Sequence, residues 1–222
     1  ANCGITDEDL TDVSACFDAV PSGRASITYV SLGYNELTSL PVGLFDSMTS
    51  LAELSLEGNQ LTTLEVGIFE GLTSLSTLDM GRNLLTTLPV GLFEGLSSLT
   101  KMTLDDNDLT VVEVGLFEGL IALDDLGLAS NELTDLEVGL FGELTSLTEL
   151  SLLLNPLTTL PAGIFGGLDK LETLSLFNNE LTLLDAELFQ GLTALTTLSL
   201  DHNELTTLPA GIFEPLGSLQ EL

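Results

Sequence analysis

The most constraining feature of this sequence is a 24-residue period, marked by an asparagine that recurs at this spacing eight times in succession. The units run from Ile27 to Ser218 without insertion or deletion. A period of about 20 to 50 residues held over several units is typical of a repeat array, in which each unit buries its apolar face against its neighbours. The asparagines are Asn35, Asn59, Asn83, Asn107, Asn131, Asn155, Asn179 and Asn203. The sequence therefore predicts one continuous solenoid rather than separate globular domains.

Within each unit, numbered from its first leucine, the apolar positions indicate where the chain is extended. Positions 4 and 6 alternate with polar neighbours, which is the period of a β-strand with one buried face. In the last unit this pattern predicts a strand over Thr197–Asp201, with Leu198 and Leu200 pointing inward. A return path of about 18 residues then brings the next strand alongside in parallel. Positions 1, 4, 6 and 11 are leucine except at Ile27, Val30, Met80 and Met102.

Three further columns of the repeat indicate structural roles. Position 9 is always asparagine, whose buried amide can satisfy backbone groups where the chain leaves the sheet. Position 19 is always phenylalanine, so we expect an aromatic stack beneath the outer face. Position 17 is glycine in seven units, which predicts a turn with positive φ and an altered loop at the exception, Glu187.

The charge of the chain restricts its partners. The sequence of 222 residues holds 34 acidic residues against four basic ones, for a formal net charge of −30. Nucleic acid and anionic membrane surfaces require a basic patch, so neither is expected as a partner. A basic partner fits this charge, and so does a solvated acidic surface that serves solubility alone. No apolar run approaches the length of a membrane span.

Residues 1–26 break the repeat and are expected to form an N-terminal cap. This segment contains both cysteines of the chain, Cys3 and Cys16. A small cap buries little apolar surface, so we predict a disulfide between them and an oxidising compartment. Two reduced thiols packed as apolar residues, or a metal site, are the alternatives, although no histidine or further cysteine lies near in sequence.

The complete unit resembles a known repeat. The segment Leu75–Ser98, LSTLDMGRNLLTTLPVGLFEGLSS, is similar to the typical 24-residue leucine-rich repeat. This subclass occurs in Toll-like receptor ectodomains, small leucine-rich proteoglycans, Slit proteins and lamprey variable lymphocyte receptors. The resemblance covers residues 27–222 and implies an α/β-type solenoid. It further implies a curved horseshoe with a parallel sheet on its concave face, an irregular or short-helical convex side, and partner binding on that sheet without chemistry.

The chain ends four residues into a ninth unit, so residues 27–222 hold eight repeats and the start of another. Such an end exposes core residues unless something covers them; these are Leu198, Leu200, Leu205 and Phe213. Two interpretations stay open at this point. The chain belongs to a longer protein with more repeats or a cap, or two such ends pack together in a homodimer.

Ligand choice is expected at the variable positions 2, 3, 5, 7 and 8. Leu153 and Phe177 occupy position 7 of adjacent repeats, where most repeats have polar or small residues. Leu154, Asn178 and His202 lie beside them at position 8. Exposed apolar clusters often mark binding sites, so we predict partner contact here. The alternative is that another segment of the protein covers the cluster.

Two more features point to the same face. Acidic residues cluster in the middle repeats, with Arg82 and Lys101 among them, and fit either a basic partner or a calcium ion. No EF-hand-like spacing is present, and a solvated face with local ion pairs is the competing interpretation. Tyr29 and Tyr34 fit either recognition or packing against the cap. The acidic residues are Asp79, Asp105, Asp106, Asp108, Asp124 and Asp125, of which Asp105, Asp106 and Asp125 are our candidate contacts.

Catalysis is not expected from this set of residues. His202 is the only histidine, and no serine or cysteine nucleophile has a base and an orienting group around it. No phosphate-binding loop occurs, and no cofactor is expected. The sequence therefore predicts a secreted or cell-surface recognition module that binds a protein or glycan. The alternatives are an enzyme inhibitor, a structural matrix or cell-wall module, and a consensus-designed scaffold.

Overall fold

A computed structural model describes residues 17–18 and 23–222. Cys3 and Cys16, and with them the predicted disulfide, lie outside the described residues. From residue 23 onward the chain forms a 3-10 turn at Arg24–Ser26 and then enters the repeats. No helix within it is long and apolar enough to cross a membrane.

Eight short strands form one parallel sheet, in which each strand pairs with the next along the chain. The register is constant, as in Val30 opposite Leu54 and Leu174 opposite Leu198. The strands are β1 Tyr29–Ser31, β2 Glu53–Ser55, β3 Thr77–Asp79, β4 Lys101–Thr103, β5 Asp125–Gly127, β6 Glu149–Ser151, β7 Thr173–Ser175 and β8 Thr197–Ser199. This arrangement confirms the parallel solenoid, with one strand per repeat.

Each strand is three residues long, shorter than the five predicted over Thr197–Asp201. The interstrand bonds nevertheless continue beyond the strand, because the amides at positions 6 and 8 each donate to the next repeat. Leu32 donates to the Ser55 carbonyl at 2.8 Å, and Tyr34 to the Glu57 carbonyl at 2.7 Å. The extended conformation ends because position 8 turns into the left-handed region, where Tyr34 has φ 55°.

The leucines at positions 1, 4, 6 and 11 line the core between the sheet and the outer turns, as predicted. At the far end, Leu198 is only 1% exposed, which corrects the expectation that it would be uncovered. The start of the ninth unit covers it, since the Leu198 amide donates to the Glu221 carbonyl at 3.0 Å. Leu200, Leu205 and Phe213 are half-buried.

The asparagine column forms the expected ladder. In Asn107 the side-chain nitrogen donates to the Leu104 carbonyl at 3.0 Å and to the Met80 carbonyl of the preceding repeat at 3.1 Å. Its oxygen accepts from the Leu85 amide at 3.1 Å. Each such side chain replaces backbone partners that are lost where the chain leaves the sheet, and it joins two successive repeats.

The ladder has a defect at Pro156. The position-10 amide normally donates to the preceding repeat, as Glu132 does to Leu109 and Glu180 to Leu157. Pro156 has no amide hydrogen to donate to Leu133. Among the described residues, the Asn179 side-chain oxygen is also the one buried side-chain polar atom without a partner. In other repeats the amide at position 11 donates to the asparagine oxygen of the next repeat, as Leu133 does to Asn155 at 3.2 Å. In the sixth repeat position 11 is Leu157, the residue that follows Pro156.

Turns rather than helices form the convex side. The glycines at position 17 have positive φ, from 77° at Gly211 to 94° at Gly115 and Gly139, which confirms the predicted turn. At the exception, Glu187, the loop is held instead by its amide donating to the Asp185 carboxylate at 2.8 Å. The phenylalanines beneath these turns stack at 6.2–6.5 Å from Phe45 through Phe141, and again between Phe189 and Phe213.

Candidate partner-binding surface

We use concave face for the side of the sheet opposite the core, together with the position-8 residues that border it. Those residues are held in the left-handed region, at φ 52–57° for the non-glycines and 68° for Gly58. Most of them are exposed, with Tyr34 at 66% and Leu154 at 42%. The column comprises Tyr34, Gly58, Arg82, Asp106, Ser130, Leu154, Asn178 and His202.

Sequence reasoning assigned this column to the variable face but missed its backbone conformation. Left-handed φ disfavours most side chains, and only glycine, asparagine and aspartate tolerate it well. The presence of Gly58, Asp106 and Asn178 in one column was the available signal. Because the conformation is fixed by the repeat, each side chain leaves the solenoid in the same direction whatever its chemistry.

A polar network spans the first four repeats along this column. The Tyr34 hydroxyl donates to Glu57 Oε1 at 2.5 Å, and Arg82 Nη1 donates to the Tyr34 hydroxyl at 3.3 Å. Arg82 also lies 3.7 Å from the Glu57 carboxylate and 3.5 Å from the Asp106 carboxylate. The bond to Glu57 raises the pKa of Tyr34.

The Tyr34 ring packs over Gly58, where a Cβ would lie 2.8 Å from the ring. The Tyr34 ring therefore contacts the second repeat. Tyr29, the other tyrosine of the first repeat, is 59% exposed. The predicted alternatives for these tyrosines were recognition or packing against the cap. Tyr34 contacts the network residues of the following repeats, which sequence spacing alone did not connect to it.

The acidic centre of the face lies at Asp105. Its carboxylate accepts from the Ala129 amide at 2.7 Å and covers Gly127, on which a Cβ would lie 2.6 Å from Oδ1. Burial raises the pKa of Asp105 against the lowering effect of the Ala129 bond, and the neighbouring carboxylates Asp106 and Asp125 add to the rise. The three acidic candidates therefore lie close enough for their charges to interact.

Two further charged groups flank this centre. The Lys101 ammonium forms an ion pair with Asp125 across β4 and β5, and this contact raises the pKa of Lys101. Asp79 accepts from the Gly81 amide at 3.0 Å, and burial raises the pKa of Asp79. Within the described residues, no group of three or more acidic, histidine or cysteine side chains is arranged to hold a metal ion.

The apolar candidates lie further along the same face. Phe177 and His202 contact each other edge to face, with ring centroids 5.0 Å apart. Leu154 and Asn178 are exposed, whereas Leu153 and Phe177 are half-buried. The cluster is therefore less exposed than the sequence suggested, since Phe177 lies against the next repeat. The cluster lies beside the repeat that contains Asp125, because the Ser130 amide of that repeat donates to the Leu153 carbonyl at 2.9 Å.

The family profile for leucine rich repeats matches six overlapping segments that together run from residue 49 to residue 222. The chain belongs to the leucine-rich repeat family. Those matches cover most of the repeats that form the parallel sheet, so the family assignment and the fold agree. Among curated proteins, no sequence matches the chain.

Solved structures support the same assignment for this leucine-rich repeat chain. Two chains from the Toll–Spatzle complex of Drosophila match it, one of them in a glycosylated form. The glycosylated one is 33% identical with a TM-score of 0.82, and covers 88% of this chain and 28% of its own length. The other is 34% identical with a TM-score of 0.80, at 88% and 27% coverage. The chain therefore spans little more than a quarter of these receptor chains.

Proposed function

We propose that this chain is an extracellular recognition module that binds a basic protein partner on its concave face, without catalysis. The observation that carries the proposal is the continuity of two surfaces on one face. The acidic centre, formed by Asp105, Asp106 and Asp125, adjoins Ala129 in the fifth repeat. Ala129 in turn adjoins the apolar cluster in the next repeats, which consists of Leu153, Leu154, Phe177, Asn178 and His202. The similarity to a receptor ectodomain solved in complex with its partner supports a protein rather than a glycan.

The acidic centre suits a partner with lysine or arginine opposite it. Its carboxylates are fixed by the Ala129 amide, by Arg82 and by Lys101, so they need little reordering on binding. Charged groups at the edge of an interface chiefly accelerate association and select partners, and their effect falls with salt. We therefore assign steering and partner choice to Asp105, Asp106 and Asp125.

The apolar cluster suits the anchoring contact. Phe177 is half-buried against His202, which fixes the ring without removing it from solvent. Aromatic anchors of this kind are frequent among the few residues that dominate binding energy. Leu153 and Leu154 extend the apolar area toward the acidic centre, so one partner segment with an apolar end and a basic end contacts both.

The test begins with a partner selected from a displayed library of secreted proteins. Phe177→Ala is expected to weaken that partner's affinity at least tenfold, because it removes the anchor. Asp105→Asn combined with Asp106→Asn is expected to slow association and flatten its salt dependence. Leu183→Ala, which trims an exposed leucine 56% accessible outside this face, is the matched control and should change neither value.

Three results decide against the proposal. Affinity unchanged by Phe177→Ala and by the paired aspartate variants places the partner on another surface. A selected partner that is an enzyme and loses its activity on binding supports an inhibitor instead. Self-association or matrix binding without a selectable partner supports a structural module.

The location of the chain outside the cell forms part of the proposal. We propose that residues 1–26 cap the first repeat and that Cys3 pairs with Cys16, which requires an oxidising compartment. The similarity to a receptor ectodomain supports the same location.

A further inference from the structure

The convex side of the first five repeats carries a column of exposed valines at position 16. We call it the valine ridge, and each member is between 45% and 57% exposed. The last three repeats have alanine at this position instead. Isolated exposed aliphatic residues are ordinary, but an unbroken apolar strip on a charged protein is not. The ridge consists of Val42, Val66, Val90, Val114 and Val138.

Two of the valines, Val42 and Val90, lie against the glycine turn of the following repeat. A Cβ on Gly115 would lie 3.5 Å from Val90 Cγ1, and one on Gly67 would lie 3.9 Å from Val42 Cγ1. The phenylalanine rings beneath are 6.2–6.5 Å apart over these repeats. The ridge therefore extends about 25 Å, the length of about eight residues of extended chain.

Shallow grooves with acidic rims accompany the ridge. One groove of about 380 Å³ lies beside Val90, with Glu94 and Glu118 at its edges and glycines on its floor. The next, of about 250 Å³, lies beside Val114 and is bordered by Glu118 and Glu143. None of the four ion pairs among the described residues involves these carboxylates.

Acidic residues accompany the valine ridge in each of its five repeats. Position 20 is acidic in repeats 1–4 and again at Glu214 in repeat 8, whereas repeats 5–7 have Gly142, Gly166 and Gln190 there. Glu143, one residue later, provides the acid of repeat 5, and it accepts from the Gly119 amide at 3.0 Å. Valine and carboxylate thus occur together in repeats 1–5, whereas repeats 6 and 7 have neither at positions 16 and 20 and repeat 8 keeps only the acid.

We propose that this surface binds an extended segment of a partner in which apolar residues alternate with lysine or arginine. Alternate side chains of an extended chain recur at about 6.6 Å, close to the spacing of the repeats under the ridge. Apolar side chains would fit between valines while the basic ones reach the carboxylates. A second copy of this chain presents further acidic residues, so charge disfavours it as the occupant.

A synthetic ten-residue peptide of alternating valine and lysine is the probe, and a serine–lysine peptide of equal charge is its control. Measured by fluorescence anisotropy at physiological salt, the valine–lysine peptide is expected to bind at least tenfold more tightly. The double variant Val90→Ala with Val114→Ala is expected to bind the valine–lysine peptide at least threefold more weakly than the wild type does, with the affinity for the serine–lysine peptide unchanged. The alanines match those of repeats 6–8, so the fold is retained, and Leu183→Ala is again the control variant.

Three results overturn the proposal. Equal binding of the two peptides means that charge alone attracts them, and an unchanged affinity of the valine double variant means that the ridge is not the contact. Amide-exchange protection on the concave face, rather than over residues 90–119, places the peptide elsewhere. Phe177→Ala separates the two surfaces, because it weakens the selected concave partner and leaves peptide binding on the ridge unchanged.

Discussion

At the scale of single residues, Asp105 shows the conflict between burial and charge most clearly. Its carboxylate is half-buried over Gly127 and close to Asp106 and Asp125, and these surroundings raise its pKa. An acid whose pKa is higher in the folded than in the unfolded state opposes folding when it is ionised. The residue therefore lowers the stability of the module at neutral pH while it contributes charge to the proposed binding face.

Asp105→Asn is expected to raise the melting temperature at pH 7 by about 1–2 °C, a small effect because solvent still screens the group. The amide oxygen of asparagine can still accept from the Ala129 amide. In the wild-type chain, stability is expected to rise as the pH falls from 7 through the raised pKa values of Asp105 and Asp79. The variant should show a smaller rise, measured by thermal unfolding between pH 7 and pH 4.

Asp108→Asn is the matched control, since Asp108 is exposed in the same repeat. The Lys101 and Arg82 pKa values are raised from values already far above neutrality, so neither group titrates in this range. A lower melting temperature for Asp105→Asn at pH 7 would contradict the interpretation, because the ionised carboxylate would then be stabilising.

Sequence patterns predicted the invariant residues better than the variable ones. The roles of the Asn107 and Phe93 columns follow from one residue type repeated at one position, because the same environment recurs in every turn. The network of Tyr34, Glu57 and Arg82 could not be read in this way, since it joins different residue types across three repeats. Its geometry depends on the left-handed backbone, which periodicity does not show.

At the scale of the repeat, the sixth unit differs from the others. Pro156 lacks the amide that joins successive repeats, and Asn179 in the following unit has an unpaired buried oxygen. An unsatisfied buried acceptor costs about 1–3 kcal/mol. Within the described chain, the phenylalanine stack is also continuous only up to Phe141 before it resumes at Phe189. These defects adjoin the same repeat, on its two sides. The Thr158 and Thr182 amides donate there instead to the Thr134 and Thr158 carbonyls, at 3.5 Å and 3.2 Å, so the pattern of bonds differs from that of the other junctions.

Pro156→Gln is expected to restore an amide donor to the Leu133 carbonyl, as Gln60 donates to Leu37 at 2.9 Å. Native-state hydrogen exchange at the Leu157 amide should slow by about tenfold, which corresponds to about 1.4 kcal/mol of local stability. The global free energy of unfolding should change less, because glutamine also increases the entropy of the unfolded chain.

Pro161→Gln provides the comparison, since position 15 of other repeats has Glu65 or Glu113 without loss of the turn. It removes a proline from the same unit but adds no ladder donor, so exchange at Leu157 should stay as in the wild type. Equal slowing in both variants, or none in Pro156→Gln, would mean that the proline does not cause the defect.

At the scale of the whole molecule, charge and apolar surface act against each other. The net charge of −30 keeps copies apart, whereas the last repeat presents an apolar cleft of about 460 Å³. Its lining includes Leu200, Leu205, Leu208 and Phe213. Of the two interpretations of this end, a longer protein or a homodimer, the homodimer therefore depends on how far salt screens the charge.

The homodimer interpretation predicts, by light scattering, a monomer at low salt and a growing dimer fraction at 0.5 M salt as protein concentration increases. Leu208→Ser, which alters an exposed residue of the cleft, should abolish the salt-dependent dimer. Val90→Ser serves as the control on the convex side. A monomer at every salt and protein concentration would refute association through the last repeat.

The overall architecture was the most predictable level, because a 24-residue period allows few alternatives to a parallel solenoid. Strand length was overestimated, since the left-handed turn at position 8 ends the extended conformation early. The convex surface was not predicted as a site. Valines such as Val90 look like ordinary loop residues in sequence, and only the turn geometry places them in one exposed column.

The missing contacts at Pro156 also have a mechanical consequence. The repeats of a solenoid are coupled like springs in series, so a load along its axis passes through every junction. The junctions on either side of the sixth repeat each lack one of the regular hydrogen bonds, and bonds of 3.5 Å from Thr158 to Thr134 and 3.2 Å from Thr182 to Thr158 are present there instead, so we expect these junctions to be the most compliant. A partner that grips both the first repeats and the last ones would therefore bend the molecule there, and the curvature of the module would adapt to the size of what it holds.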